Sequence, residues 1–130
     1  MEKKLSNEIM LLCGQNNIVV FDVNVGKVKT VYGTYFDSGL PKGFPDLFLL
    51  HNDGRAIFIE VKVKPNKPSA DQRDFIKFLR ERGFFADVVF SISDMKHLIN
   101  TGFTSYLYTL WHHWQIFTFF YKPSWEKNII

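Results

Sequence analysis

Two carboxylates and one lysine fall within a single short stretch that runs from Gly43 to Lys62 and reads GFPDLFLLHNDGRAIFIEVK. Asp46 heads one apolar run, while Glu60 and Lys62 close another. Between the runs, His51-Asn52-Asp53-Gly54 is turn chemistry, because Asn and Asp tolerate left-handed φ and Gly adopts it at little steric cost. The pattern predicts a β-hairpin. Side chains alternate along a strand, so Ile57, Ile59, Val61 and Val63 face one way and Phe58, Glu60, Lys62 and Lys64 the other. Leu47-Phe48-Leu49-Leu50 is apolar on both faces, which places that strand in the middle of a sheet. A carboxylate there is expensive unless it is paired or bound to a cation. Asp46 and Glu60 converging beside Lys62 would make an oxygen-ligand pocket for a hard divalent ion, with an ammonium close by as a point charge.

An isolated E-x-K is more simply a solvated pair on an edge strand, with Asp46 following a Gly-Phe-Pro turn. The hairpin context favours convergence. Pro45-Asp46 followed by Glu60-Val61-Lys62 resembles the PD-(D/E)xK nuclease signature. The longer pattern adds Gly43-Phe44 and Leu47, Phe58-Ile59, and Ser69-Ala70-Asp71-Gln72 with Phe75, and is similar to the VRR-NUC branch of that superfamily. The resemblance covers about residues 5 to 99. The Val-Arg-Arg tripeptide that names the family is absent, which bears on subgroup more than on chemistry.

The resemblance implies an α/β fold, a restriction-endonuclease-like mixed β-sheet flanked by helices. It also implies a Mg²⁺- or Mn²⁺-dependent endonuclease that hydrolyses DNA phosphodiesters, structure-specific for a Holliday junction or other branched DNA and working as a homodimer. Asp46, Glu60 and the backbone carbonyl of Val61 would hold the metal, and Lys62 would hold the attacking water and offset developing charge. Glu8, on an N-terminal helix, would complete the metal's shell, and Gln72 would sit beside Lys62 as a further catalytic residue. A function of another class is a catalytically silent DNA-binding or assembly module that keeps the nuclease fold. Divalent-dependent nicking of branched DNA separates the two.

With 130 residues, one domain is expected, long enough to bury a real core. We divide it into a nuclease-like domain over 1–101 and an aromatic-rich extension over 102–130. Sixteen basic residues against thirteen acidic give a net charge of +3, which permits a polyanionic partner without demanding one. The single cysteine, Cys13, excludes an intrachain disulfide and falls in an apolar helical pattern. No secretory signal is visible, so a cytoplasmic location is expected.

The elements that must position Asp46 and Glu60 read as follows. Leu5, Ile9, Leu12 and Cys13 recur at helical spacing over Lys3 to Gln15, with Glu8 at the border of the stripe. Ile18 to Val25 is β-branched, and Gly26-Lys27 predicts a tight turn into a second strand over Val28 to Tyr32. Gly33 to Gly43 reads as a loop ending at the carboxylate strand, from which Tyr32, Tyr35, Phe36 and Lys42 could approach nucleic acid. After Lys62, the prolines of Val63-Lys64-Pro65-Asn66-Lys67-Pro68 end the strand, leaving Lys64 and Lys67 near the site for phosphate contacts. Ser69 and Gln72 fit a helix capping box, a complete structural account of Gln72 that stands beside the catalytic one. Phe75, Phe78 and Leu79 predict the buried face of this helix, with Ile76 at its margin and Arg80 among its solvated charges, and Gly83 stops it. Phe85 to Ser91 returns as a strand, and Ser93-Asp94 opens a last short helix through Ile99. Strand, helix, strand in this order predicts parallel neighbours.

Between Lys96 and Lys122 there is no Asp, Glu, Lys or Arg, and Trp111, Trp114, Phe117, Phe119, Phe120 and Tyr121 crowd together. His112-His113, Gln115 and the threonines and serine of this stretch argue against a membrane span, so no membrane association is expected. A protein–protein surface, such as a dimer interface, fits better. The adjacent histidines point apart on any regular element and are assigned no metal.

Overall fold

The computed structural model describes residues 1–23 and 27–104, over which the chain forms three helices and six strands. Helix α1 (Glu2–Gln15) buries Leu5, Ser6, Ile9 and Cys13 along one side. Strands β1 (Val19–Asp22), β2 (Lys27–Lys29), β3 (Tyr35–Asp37), β4 (Leu47–Leu50) and β5 (Ala56–Val61) follow. Helix α2 (Ala70–Glu81), strand β6 (Phe85–Val89) and helix α3 (Ile92–Asn100) complete the fold.

The main sheet has the order β1-β4-β5-β6. β4 and β5 form the expected hairpin, closed by His51 N–H donating to the Arg55 carbonyl at 2.9 Å. β5 and β6 are parallel and joined through α2. This is the mixed α/β sheet expected from the strand–helix–strand pattern.

Alternation along β5 sorts the core into two layers. Ile57, Ile59 and Val61 pack with Leu5, Ile9 and Cys13 of α1 and with Met95 and Leu98 of α3. Phe58 packs on the other face with Ile76, Leu79, Ala86 and Val88. With helices on both faces, every residue from Ile57 to Val61 is buried, at about 1.5–3 kcal/mol of stabilisation for each large apolar side chain. Anything polar on β5 is carried inward by its neighbours. That is how Glu60 comes to lie inside the protein.

Five expectations are corrected. β1 does not pair with the strand that follows it; it pairs antiparallel with β4, stacking Phe21 on Phe48 at 5.9 Å between ring centroids. β2 pairs instead with β3, a strand inside the stretch read as a loop, and the two make a separate ribbon. Strand propensity marks a segment as extended but does not choose its partner. On α2 the buried residues are Ile76, Leu79 and Arg80, whereas Phe78 is exposed beneath the Arg82 guanidinium. Arg80, read as solvated, is buried because its Nε–H donates to the Ala86 carbonyl at 2.8 Å and its Nη2 lies 3.2 Å from Asp87 Oδ1. The N-cap of α3 is Ser91, whose Oγ accepts from Asp94 N–H at 3.1 Å, so Ser93 lies within the helix.

The described chain closes against the β4–β5 turn. Arg55 donates from Nη1 to the Phe103 carbonyl at 3.0 Å and from Nη2 to the Gly102 carbonyl at 2.5 Å. Phe103 is buried, edge-on to His51 and Phe85. Among the described residues no helix is long and apolar enough to cross a membrane. The readings made for the aromatic extension, including its dimer interface and His112-His113, lie outside the described residues.

Candidate active site

The β4–β5 register pairs Leu47 with Ile59, and one step further along it Asp46 stands opposite Glu60. Pro45 has no N–H to donate to the ladder at this point. Instead, the Val61 N–H donates to Asp46 Oδ2 at 2.9 Å, so a side chain takes over where the backbone pairing ends. The Asp46 carbonyl in turn accepts from Val23 N–H at 2.8 Å, and Lys62 N–H donates to the Val89 carbonyl at 3.0 Å. Three strands and the residue after β1 thus fix the backbone around Asp46, Glu60 and Lys62. All three side chains share the parity of Phe48 and Phe58, the α2 side of the sheet.

Glu60 is 1% exposed, and neither of its carboxyl oxygens meets a hydrogen-bond partner among the described residues. Lys62 Nζ lies 3.9 Å from Glu60 Oε1, within ion-pair range but too long for a hydrogen bond. Burial, and then the Asp46 carboxylate beside it, push the Glu60 carboxyl up to about 9, against a smaller downward pull from Lys62. Near neutral pH the unliganded site therefore holds a proton on Glu60.

A buried carboxyl that meets no donor and faces a second carboxylate is costly, which identifies a functional position more readily than a structural one. The donor set is oxygen only, the type that suits Mg²⁺ or Mn²⁺. The orphaned Glu60 oxygens next to Asp46 fit such an ion. Among the described residues, however, no three His, Cys, Asp or Glu side chains group together. Glu8 is exposed on α1, whose buried side packs on the opposite face of the sheet from Glu60. The structure thus brings Asp46, Glu60 and Lys62 together and does not bring Glu8 into a carboxylate cluster with them.

The capping box on α2 is formed. Ser69 Oγ accepts from Gln72 N–H at 3.2 Å, and Gln72 Oε1 accepts from Ser69 N–H at 2.8 Å. Lys42 is exposed and lies 3.3 Å from Asp71. Lys64 is exposed, with its Nζ 5.8 Å above the Phe90 ring, and Lys67 is exposed in the same connector. Asn66 ties that connector to α1 by donating to Glu2 at 2.9 Å.

One positioning residue escaped sequence reading. Gly43 has φ +89°, and a Cβ there would lie 2.6 Å from Asp71 C and 3.0 Å from Gln72 N. The loop entering the Asp46 strand is therefore pressed against the first turn of α2. Phe44 completes the contact, its ring 5.2 Å from Phe75 and 5.9 Å from Phe58. The available signal was a glycine directly before Phe-Pro-Asp, indistinguishable in type from the other turn glycines of the same loop.

Comparison with known proteins bears on the same segment. The family model described as VRR-NUC domain matches residues 26–91. A solved structure described as a VRR_NUC domain is similar, with a TM-score of 0.58 and 23% identity over 76% of this chain and 94% of that one. At that identity the likeness establishes a shared fold. Among curated proteins none matches.

Proposed function

The chain belongs to the VRR-NUC domain family, a nuclease family, and from that premise we propose that it is a divalent-metal-dependent endonuclease acting on DNA, with branched DNA as its preferred substrate. The observation that carries the reading is the orphaned, buried Glu60 carboxyl held opposite Asp46 with Lys62 at its side. Asp46, Glu60 and the Val61 carbonyl would hold Mg²⁺ or Mn²⁺. Bound there, the ion would supply a water of lowered pKa and withdraw charge from the phosphoryl oxygens.

The chain's own residues divide the remaining work. Val61 N–H fixes one oxygen of Asp46, so the carboxylate is oriented before any ligand arrives. Glu60 would have to give up its proton to hold a cation, since the charged form is what a cation binds. Lys62, mostly buried, keeps an ammonium where a phosphoryl oxygen or the attacking water would sit and offsets negative charge in the transition state. Gln72, whose Oε1 is engaged by Ser69, would act from its amide nitrogen to orient Lys62 or the water. Lys42, Lys64 and Lys67 would contact phosphates flanking the scissile bond, giving affinity without sequence preference. Pairing of two copies would suit substrates that need two cuts.

The test is cleavage of a panel of four-way, flap and linear DNA by purified protein with Mg²⁺, Mn²⁺ or EDTA. Asp46→Asn and Lys62→Ala should keep the fold and DNA binding but lose about a hundredfold or more in rate. Cutting that persists in either variant or in EDTA would defeat the assignment. Binding without any cutting by the wild type would favour the silent module.

A further inference from the structure

The β2–β3 ribbon is inserted between two points that both bear on Asp46. Before it, Val23 N–H donates to the Asp46 carbonyl at 2.8 Å. After it, Gly43 and Phe44 are pressed on α2 directly ahead of Asp46. The ribbon is thus rooted at the carboxylate end of the sheet. Its turn is closed by Thr30 N–H donating to the Thr34 carbonyl at 2.7 Å and Gly33 N–H to the Thr30 carbonyl at 3.1 Å. The Thr30 and Thr34 hydroxyls add a bond of 2.7 Å.

This closed turn holds apolar and aromatic groups in solvent. Val31 is 94% exposed, Tyr32 89% and Tyr35 65%. Single exposed apolar residues are ordinary, but three on one short ribbon beside a reactive site are not. From Lys27 to Lys42 the sequence carries three lysines against one aspartate, Asp37. Asp37 is itself occupied in accepting from Gly39 N–H at 2.9 Å. The ribbon's sequence thus carries a cationic excess, with Lys29 exposed beside the turn, which matches a polyanion.

We propose that this ribbon is a nucleic-acid arm whose Tyr32 ring stacks on an unpaired or unstacked base. The inference rests on the nuclease reading and deepens it. A duplex hides its base faces inside the stack, whereas a branch point or single-stranded flank presents them. Strands of three residues carry the turn about 10 Å from the root, so Tyr32 would meet a base of the same molecule whose phosphate faces Asp46 and Glu60. Preference for branched DNA follows from this geometry without any base-specific hydrogen bond, because every base offers a stacking face.

The experiment uses the full chain, with calcium in place of magnesium, and fluorescein-labelled four-way junction and continuous duplex of equal length as probes. Tyr32→Ala should weaken junction binding at least about fivefold, the range of one lost base stack, and leave duplex binding and molecular mass unchanged. Tyr32→Phe should bind as the wild type does. Junction binding by Tyr32→Ala within twofold of wild type overturns the arm and leaves the nuclease reading intact. A fall in mass from dimer to monomer overturns it too, assigning the ribbon to contact between copies. Failure of the wild type to bind either DNA overturns both readings together.

Discussion

Replacing Glu60 by glutamine tests the electrostatics of the site without reference to catalysis. The folded protein holds the Glu60 proton up to about 9, whereas an ordinary glutamate releases it near 4.5. Between those values the folded state binds a proton that the unfolded chain has lost, so stability falls as pH rises. The contribution is fully present below about 4.5 and gone above about 9. Each unit in this window is worth about 1.4 kcal/mol, so from pH 5 to pH 7 the wild type should lose up to about 2.7 kcal/mol relative to Glu60→Gln. Glutamine matches the protonated carboxyl in shape and cannot titrate. The assay is urea denaturation of both proteins in EDTA at half-unit steps from pH 5 to pH 8, taking the difference so that all other titrations cancel. The gap should widen steadily with pH and shrink for the wild type when Mg²⁺ is added. Profiles that run parallel within about 0.5 kcal/mol would refute the reasoning, because Glu60 would then be ionised in the folded protein as it is in the unfolded one.

The same proton would make the proposed metal uptake pH-dependent. Below about 9 each loading event should release close to one proton, and affinity should rise roughly tenfold per pH unit. Calorimetry in buffers of different ionisation enthalpy reads the release, and buffer-independent heats would contradict it. Gly43→Ala combines a strained positive φ with a clash on the Asp71–Gln72 backbone. We expect a loss of about 1–3 kcal/mol accompanied by reduced cleavage, and a variant as stable and active as wild type would show that the loop does not rely on this contact. Ser69→Ala removes the cap of α2 and should lower the urea midpoint by the equivalent of about 1 kcal/mol, with an unchanged midpoint counting against the capping box.

Much of the site was legible because it depends on local chemistry. The His51–Gly54 turn set the hairpin, and the hairpin's two-residue period put Asp46, Glu60 and Lys62 on one side. The Ser69–Gln72 box marked the start of α2 to the residue. What could not be read was decided at long range. β1 found β4 across the chain because an apolar strand needed covering, and no local signal favours that partner over β2. Arg80 looked like its solvated neighbours, and only the Ala86 carbonyl that it meets, brought in by the parallel crossover, shows it as buried. Glu8 sits at the stripe border in sequence, but helix periodicity alone does not say which face of the sheet the helix will cover.

Arg55 holds the Gly102 and Phe103 carbonyls at the β4–β5 turn, while Asp46 and Glu60 lie at the other end of the same two strands. The two strands are therefore polarised, with the carboxylate pair at one end and the Arg55 anchor at the other, about 17 Å apart along β5. Changes at the Arg55 anchor can therefore be made without touching the backbone that holds Asp46 opposite Glu60.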